Sequence, residues 1–589
     1  MKKVLAYLKG YKKECVCAPL FKMLEATFEL FVPLVMAAVI DTGIGNADKG
    51  YVIRMCLLLI TLGIIGLVCS ITAQYFAAKA AVGFSTGLRH ALFSHIQGLS
   101  FTEMDTVGTS TLITRMTSDV NQAQNGVNMF LRLFLRSPFI VFGAMIMAFT
   151  IDWKAAMIFV ITIPLLAVVV FGIMAISMPL YRKVQEKLDA VLGITRENLT
   201  GARVIRAFNK ENSEIENFRE KNEGLTAAQL FVGKISALMN PVTYVIINVA
   251  TVVLIYTGAV RVNTGVITQG EVVALVNYMS QILVELIKLA NLIITLTKAG
   301  ACMNRIAVVL DMESSMEFPG AENGNDAAGS KKNVGQNAGG NLAVEFKNVG
   351  LTYAGAGAES LSDINFSVKK GQTIGIIGGT GSGKTSLVHL IPRFYDATRG
   401  SVLVDGKDVK EYTKDEIRDK VGIVMQKAIL FKGTIRENLK WGRRDATEEE
   451  MWEALTISQS KEFVEKKEGG LDAEVEQGGR NLSGGQKQRL TIARALMKKP
   501  EILILDDSAS ALDFATDAAL RKAIRGMKEN PTVFIVTQRA SSILYADEII
   551  VLDDGAVAGI GTHAELLKNC EVYQEIYYSQ FEKEEKRDA

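Results

Sequence analysis

The sequence predicts two fold classes in series: an α-helical membrane domain of six spans, then an α/β domain built around a phosphate-binding loop. Three observations carry that reading. Up to about residue 300 the chain is a succession of apolar runs long enough to cross a bilayer. From Ala343 onward, short β-branched runs alternate with polar helical segments and glycine-containing turns. Between them, Glu313 to Leu342 is rich in Gly, Asn, Ala and Ser and has no apolar periodicity, which marks a flexible linker. At 589 residues the chain is too long for one core. The division falls at 1–312, 313–342 and 343–589.

The spans are placed near 16–40, 55–79, 128–150, 154–178, 238–260 and 271–298. Three connections are short, 41–54, 151–153 and 261–270. Two are long and helix-like, 80–127 and 179–237. Short outer turns and long inner extensions leave both ends of the membrane domain in the cytoplasm. Charge agrees with this orientation. Lys2, Lys3, Lys9, Lys12 and Lys13 precede the first span, and Arg182, Lys183, Lys187, Arg203, Arg206 and Lys210 crowd one long loop. The short loops hold only Lys49, Arg54, Lys154 and Arg261 near their edges, the asymmetry of the positive-inside rule. Met1 to Lys13 alternates Lys with apolar residues and has no small-residue cleavage site, so it reads as an interfacial helix and not as a removed signal.

Composition excludes other classes. Hydrophobic residues make up 49% of the chain, and a net charge of +2 gives no global field for nucleic acid. The six cysteines (Cys15, Cys17, Cys56, Cys69, Cys302 and Cys570) are scattered, with no zinc or disulfide spacing. Ionisable residues within spans are costly and face protein or water-filled cavities. Lys22, Glu25 and Glu29 form a face of the first span, Arg132 and Arg136 are i,i+4 on the third, and Glu285 and Lys288 are i,i+3 on the sixth. Interhelical pairing or snorkelling is favoured for Lys22, Arg132 and Arg136, and a cavity for Glu285.

The sharpest local signal is Gly378-Gly379-Thr380-Gly381-Ser382-Gly383-Lys384-Thr385, followed by Ser386. It sits between the strand-like run Thr373–Ile377 and a helical stretch. Such glycines let backbone N–H groups curl around phosphates, and the helix start adds its dipole. Lys384 is then the partner of the β- and γ-phosphates, and Thr385 a ligand of Mg²⁺. Further on, Ile502–Leu505 is a buried-strand pattern ending in Asp506 and Asp507, and Asp506 is placed to hold the cation.

Other motifs fall in order around this loop. Asn481-Leu482-Ser483-Gly484-Gly485-Gln486 contains the signature that separates ATP-binding cassette (ABC) proteins from other phosphate-loop proteins, and the chain resembles that family over nearly its whole length. The resemblance implies a type IV ABC exporter fold and Mg-ATP as cofactor. It also implies roles for individual residues. Tyr353 corresponds to the aromatic residue that stacks on adenine. Gln426 corresponds to the glutamine that touches Mg²⁺ and senses the membrane domain. Leu482, Ser483, Gly484, Gly485 and Gln486 clasp the γ-phosphate of ATP held by the other subunit, and Asp513 belongs to the dimer-contact loop. Gly108–Asp119 and Gly201–Glu211 resemble exporter coupling loops.

Two positions depart from the family pattern. Where the family carries the Glu that polarises the attacking water, this chain has Asp507, one methylene shorter. Where the family's switch loop carries His, this chain has Gln538, which donates a hydrogen bond but holds no charge. With the phosphate-gripping parts intact, the expectation is tight Mg-ATP binding and slow hydrolysis at this chain's own site. The intact signature is expected to complete a competent site on a second, non-identical half-transporter, in a bacterial inner or plasma membrane with the cassette in the cytoplasm. The expected cargo is a small amphipathic compound, drug or lipid, exported across the lipid bilayer. The alternatives are a slow homodimeric exporter and an importer of metal-chelate complexes on the same fold.

Overall fold

The computed structural model describes residues 2–319 and 341–581; most of the expected linker, 320–340, lies outside the described residues. The chain separates into two compact units. One comprises Met1–Gln97 and Thr109–Met312, the other Gly98–Gly108 and Glu313–Ala589.

In the first unit, six helices among the described residues are long and apolar enough to cross a membrane: Lys3–Ile44, Lys49–Gly98, Thr109–Ile151, Trp153–Thr200, Glu211–Asn263 and Gln269–Leu310. Each expected span lies inside one of them. Their common core is rich in small residues, including Ala26, Ala144, Ala155, Ala156 and Ala274, all fully buried. In lipid there is little hydrophobic force between helices, so close backbone approach at such residues supplies the packing energy.

Two outer turns are fixed by acids. Asp152 caps the helix Trp153–Thr200, accepting from the Ala155 N–H at 3.3 Å, and Arg261 donates to it at 2.7 Å. Asp41 accepts from the Gly270 N–H at 2.7 Å and from the Thr268 hydroxyl at 2.5 Å. Inside the bundle, Arg136 donates to Glu285 at 2.5 Å and to Glu29 at 2.7 Å, while Ser137 and Lys288 each donate to Glu285 at 2.8 Å. Lys22 pairs with Glu25 at 2.5 Å. Arg136 is thus paired between helices, as favoured from sequence, whereas the ion pair of Lys22 is with a neighbour on its own helix, and its link to another helix is a hydrogen bond to Ser70 at 3.0 Å. Glu285 answers to both readings, because it is 3% exposed, fully paired, and still lines a hollow of about 380 Å³ with Glu29, Asn277, Gln281 and Lys288.

The second unit is an α/β domain. Its main sheet has six strands: β1 (Thr373–Gly378), β2 (Val421–Val424), β3 (Ile502–Asp506), β4 (Thr532–Val536), β5 (Glu548–Asp553) and β6 (Ala556–Gly561), in the order β6-β5-β1-β4-β3-β2. All neighbours are parallel except the antiparallel edge pair β5–β6. Strands β1, β3 and β4 are buried along their whole length, which is why they read as unbroken apolar runs. A smaller antiparallel sheet contains Leu342–Leu351 and Leu361–Lys369.

A short helix from earlier in the chain, Phe101–Val107, belongs to this second unit. Phe101 packs on Phe394 with ring centroids 4.8 Å apart, and the Tyr395 hydroxyl donates to Asp105 at 2.6 Å. This helix lies immediately upstream of the stretch Gly108–Asp119 singled out from sequence; of that stretch, Thr109–Asp119 belongs to the helical unit.

Candidate functional site: an ATP-binding cassette

Strands β1, β3 and β4 end together, and the loops that leave them line one cavity of about 500 Å³. Its wall includes Thr380, Gly381, Gly383, Lys384, Thr385, Ser386, Gln426, Asp506, Asp507 and Gln538. Residues spread over some 160 positions of sequence thus meet because parallel strands place their C-terminal ends on one side.

The loop after β1 is shaped by glycine. Gly381 and Gly383 have φ of +88° and +91°, in the region that side chains disfavour. At Gly378 an added Cβ would lie 2.1 Å from the Leu552 carbonyl oxygen. Lys384 folds back over the loop and donates to the carbonyls of Gly378 at 2.9 Å and Gly379 at 2.5 Å. Burial pushes its ammonium pKa down, against the opposing pull of Asp507 and Asp506. That ammonium is held where phosphate oxygens would replace the carbonyls.

The Thr385 hydroxyl donates to Asp506 at 3.1 Å. Asp506 is 1% exposed, and burial, reinforced by the charge of Asp507, raises its carboxyl pKa to about 6 despite Thr385 and Lys384. A carboxylate in that position lacks countercharge, and a divalent cation would supply it. The donors are hard oxygens from Thr385 and Asp506, with the amide of Gln426 beside them, a set suited to Mg²⁺. Among the described residues no group of three or more His, Cys, Asp and Glu could hold a metal.

Asp507 follows with φ of +45°, a left-handed conformation that Asp tolerates better than most residues. Its carboxylate accepts from the Gln426 side-chain amide at 3.3 Å, and its N–H donates to the Val536 carbonyl at 3.0 Å. Gln538 leaves the end of β4 and lines the same cavity as the phosphate-loop residues.

Tyr353, Asp513 and the five signature residues sit elsewhere. The Tyr353 hydroxyl donates to Ser386 at 2.8 Å, its ring stands edge-on to Tyr395 at 5.1 Å, and it is not on the cavity wall. Asp513 caps the helix Phe514–Arg525, accepting from the Thr516 N–H at 2.9 Å and the Thr516 hydroxyl at 2.8 Å. Leu482, Ser483, Gly484, Gly485 and Gln486 line no part of this cavity. Ser483 instead caps the helix Gly484–Leu496, reciprocally bonded with Gln486 at 3.0 and 3.3 Å.

Sequence reasoning passed over two neighbours. His389, on the helix after the phosphate loop, brings Nε2 to 3.8 Å from Asp506. Gln580 bonds the backbone of the switch loop from 42 residues away. The first has a signal in the i,i+4 spacing from Thr385; the second has none.

Comparison with known proteins identifies the family. A family model of the ABC transporter transmembrane region matches residues 15–286, and a second, described as ABC transporter, matches residues 361–510. An uncharacterized ABC transporter ATP-binding protein of Mycobacterium bovis is 36% identical over 98% of this chain and 97% of its own length. The ATP-dependent lipid A-core flippase of Escherichia coli is 28% identical over 97% of this chain and 96% of its own. The structure of a bacterial Atm1-family ABC exporter with ATP bound superposes with a TM-score of 0.77 at 23% identity, covering 97% of this chain and all of that one, a likeness of fold. The chain belongs to the ABC transporters, as an exporter-type half-transporter with one membrane region and one ATP-binding cassette.

Proposed function

We propose that the chain is the degenerate-site subunit of a heterodimeric exporter. The observation that carries this reading is an intact phosphate loop facing two altered catalytic positions, Asp507 and Gln538, across one cavity. At this site Lys384 and the loop amides grip the phosphates. Thr385 and Asp506, with Gln426, would hold Mg²⁺, which neutralises charge between the β- and γ-phosphates when bound. Asp507 keeps a carboxylate but holds it short of the attacking water, and Gln538 offers the γ-phosphate a neutral donor. The site retains ATP and turns it over slowly.

The signature helix does its work on the partner. Ser483 and the helix start behind it line no part of this chain's own cavity, which supports a role across the dimer. The loop helix Ala202–Ala207 supports a partner too, because Val204 and the following Phe208 stand 60% and 72% exposed. ATP binding closes the two cassettes and turns the membrane cavity outward, and hydrolysis at the partner's phosphate loop resets it. The cargo is an amphipathic compound, drug or lipid, a reading supported by full-length similarity to a lipid flippase.

The test is an asymmetry in the assembled transporter. Ser483→Arg here should lower steady-state turnover at least about 100-fold, because it blocks the partner's site. Asp507→Asn should change it less than about twofold. Equal losses from both would replace this reading with two equivalent sites.

A further inference from the structure

We infer that Gln580, just past the helix Glu571–Tyr578, is a positioning residue for the switch loop. Beyond Thr537, whose N–H still bonds the Ile376 carbonyl of β1 at 3.0 Å, the backbone leaves the sheet. The next peptide groups need partners from outside it. Gln580 supplies two at once. Its side-chain amide donates to the Gln538 carbonyl at 2.7 Å and accepts from the Ala540 N–H at 2.9 Å. A side-chain amide thus takes the place that a neighbouring strand would fill, and it does so at the residue that faces the γ-phosphate.

The helix that presents Gln580 is firmly seated. Tyr573 is fully buried and its hydroxyl bonds His563 Nδ1 at 2.8 Å, while Tyr577 stacks on Phe581 at 4.7 Å. On its other side the clamped loop is tied to the dimer-contact loop. The Arg539 guanidinium donates to the carbonyls of Ser510 at 3.1 Å and Leu512 at 3.2 Å. Gln580 therefore fixes a segment that touches both the phosphate end of the cavity and the loop behind the signature. Its contribution belongs to placement of Gln538 and not to ATP capture, for which the phosphate loop suffices. This rests on the chain being an ABC ATPase and is independent of whether its partner is identical.

The experiment uses the full chain in nanodiscs, with Gln580→Ala, Gln580→Glu and Gln580→Asn, and Glu575→Ala on the same helix as control. Single-turnover hydrolysis of bound γ-labelled ATP is read because it is measurable however slow the site. Gln580→Ala should lower that rate about tenfold, with the Mg-ATP affinity within twofold and the melting temperature within about 2 °C. Gln580→Glu keeps the acceptor for the Ala540 N–H but sets an oxygen against the Gln538 carbonyl, so it should be at least as slow as Ala. Gln580→Asn should recover part of the rate. A rate within twofold of the parent for both Ala and Glu overturns the proposal. So does a loss that Glu575→Ala reproduces, or one that tracks a fall in melting temperature. The same ratios are read on an Asp507→Glu/Gln538→His background. No acceleration by that pair would count against the slow-site reading alone and leave the Gln580 ratios standing.

Discussion

Restoring the family's residues at both altered positions gives the most demanding prediction. In Asp507→Glu the carboxylate advances by one C–C bond, about 1.5 Å. It starts from a position where the present oxygen already accepts from Gln426 at 3.3 Å. A displacement on the order of 1 Å in a catalytic group is worth ~10²-fold in rate, which corresponds to about 2.7 kcal/mol of barrier. Gln538→His adds a donor able to carry charge toward the γ-phosphate, and loss of a single such donor costs roughly 10²–10³-fold in other enzymes. The gains overlap, because both act on one transition state, so the pair should raise turnover by about 10²–10³ and not by the product. There is a cost in stability. Position 507 sits at φ +45°, where Asp is tolerated better than Glu, so the domain should lose about 1 kcal/mol. For a domain of this size that is a fall of roughly 2–4 °C in melting temperature. The assay is phosphate release at saturating Mg-ATP by the assembled transporter in nanodiscs with the partner's own phosphate loop disabled, and melting is followed in parallel. A folded double variant whose turnover stays within twofold of the parent would refute the reasoning.

Other perturbations test separate links. Glu285→Ala leaves Arg136 in the bundle with only Glu29 as partner and should destabilise the membrane unit by about 3 kcal/mol, whereas Arg136→Met with Glu285→Leu should recover most of that; thermal unfolding in nanodiscs decides, and a loss under about 0.5 kcal/mol contradicts the account. In the cassette, burial alone would raise the Asp405 carboxyl, but Lys370 and Lys420 outweigh it and hold its pKa below the usual value. A depressed carboxyl stabilises the fold above its unfolded pKa of about 3.9 and loses that contribution as pH falls through the folded value. Asp405→Asn should therefore cost about 1 kcal/mol at pH 7 and remove this group's share of the loss below about pH 4, read by denaturant unfolding at both pH values. Gly485→Ala places a Cβ 3.0 Å from the Ala511 carbonyl oxygen, so it should slow the assembled transporter about tenfold while ATP affinity at this chain's own phosphate loop stays unchanged.

What could be read from the sequence depended on how local the cause was. Six spans were legible because each is a continuous apolar run that needs no knowledge of its neighbours. The phosphate loop, Asp506, Asp507 and Gln538 were legible because each ends or follows a buried parallel strand, a pattern confined to a few adjacent residues. Contacts between distant segments were not. Phe101 carries the packing of its loop helix on Phe394, yet nothing around it differs from an ordinary apolar residue. Asp513 resembles a dimer-contact acid, but its local role as a helix cap uses both carboxylate oxygens. Tyr353 is the expected aromatic residue, and the hydroxyl of Ser386 and the ring of Tyr395 determine where it points. Gln580 was invisible, because a lone glutamine near the end of a helix becomes informative only when the backbone it clamps is known.

The central claim is that this cassette binds ATP well and hydrolyses it poorly. The measurement that meets it most directly is ATP turnover by the purified chain alone, with the stoichiometry of retained nucleotide determined in the same sample. The account predicts about one ATP retained per chain and turnover close to background. Rapid turnover with no retained ATP would contradict it, and Asp507 and Gln538 would then be sufficient catalytic residues.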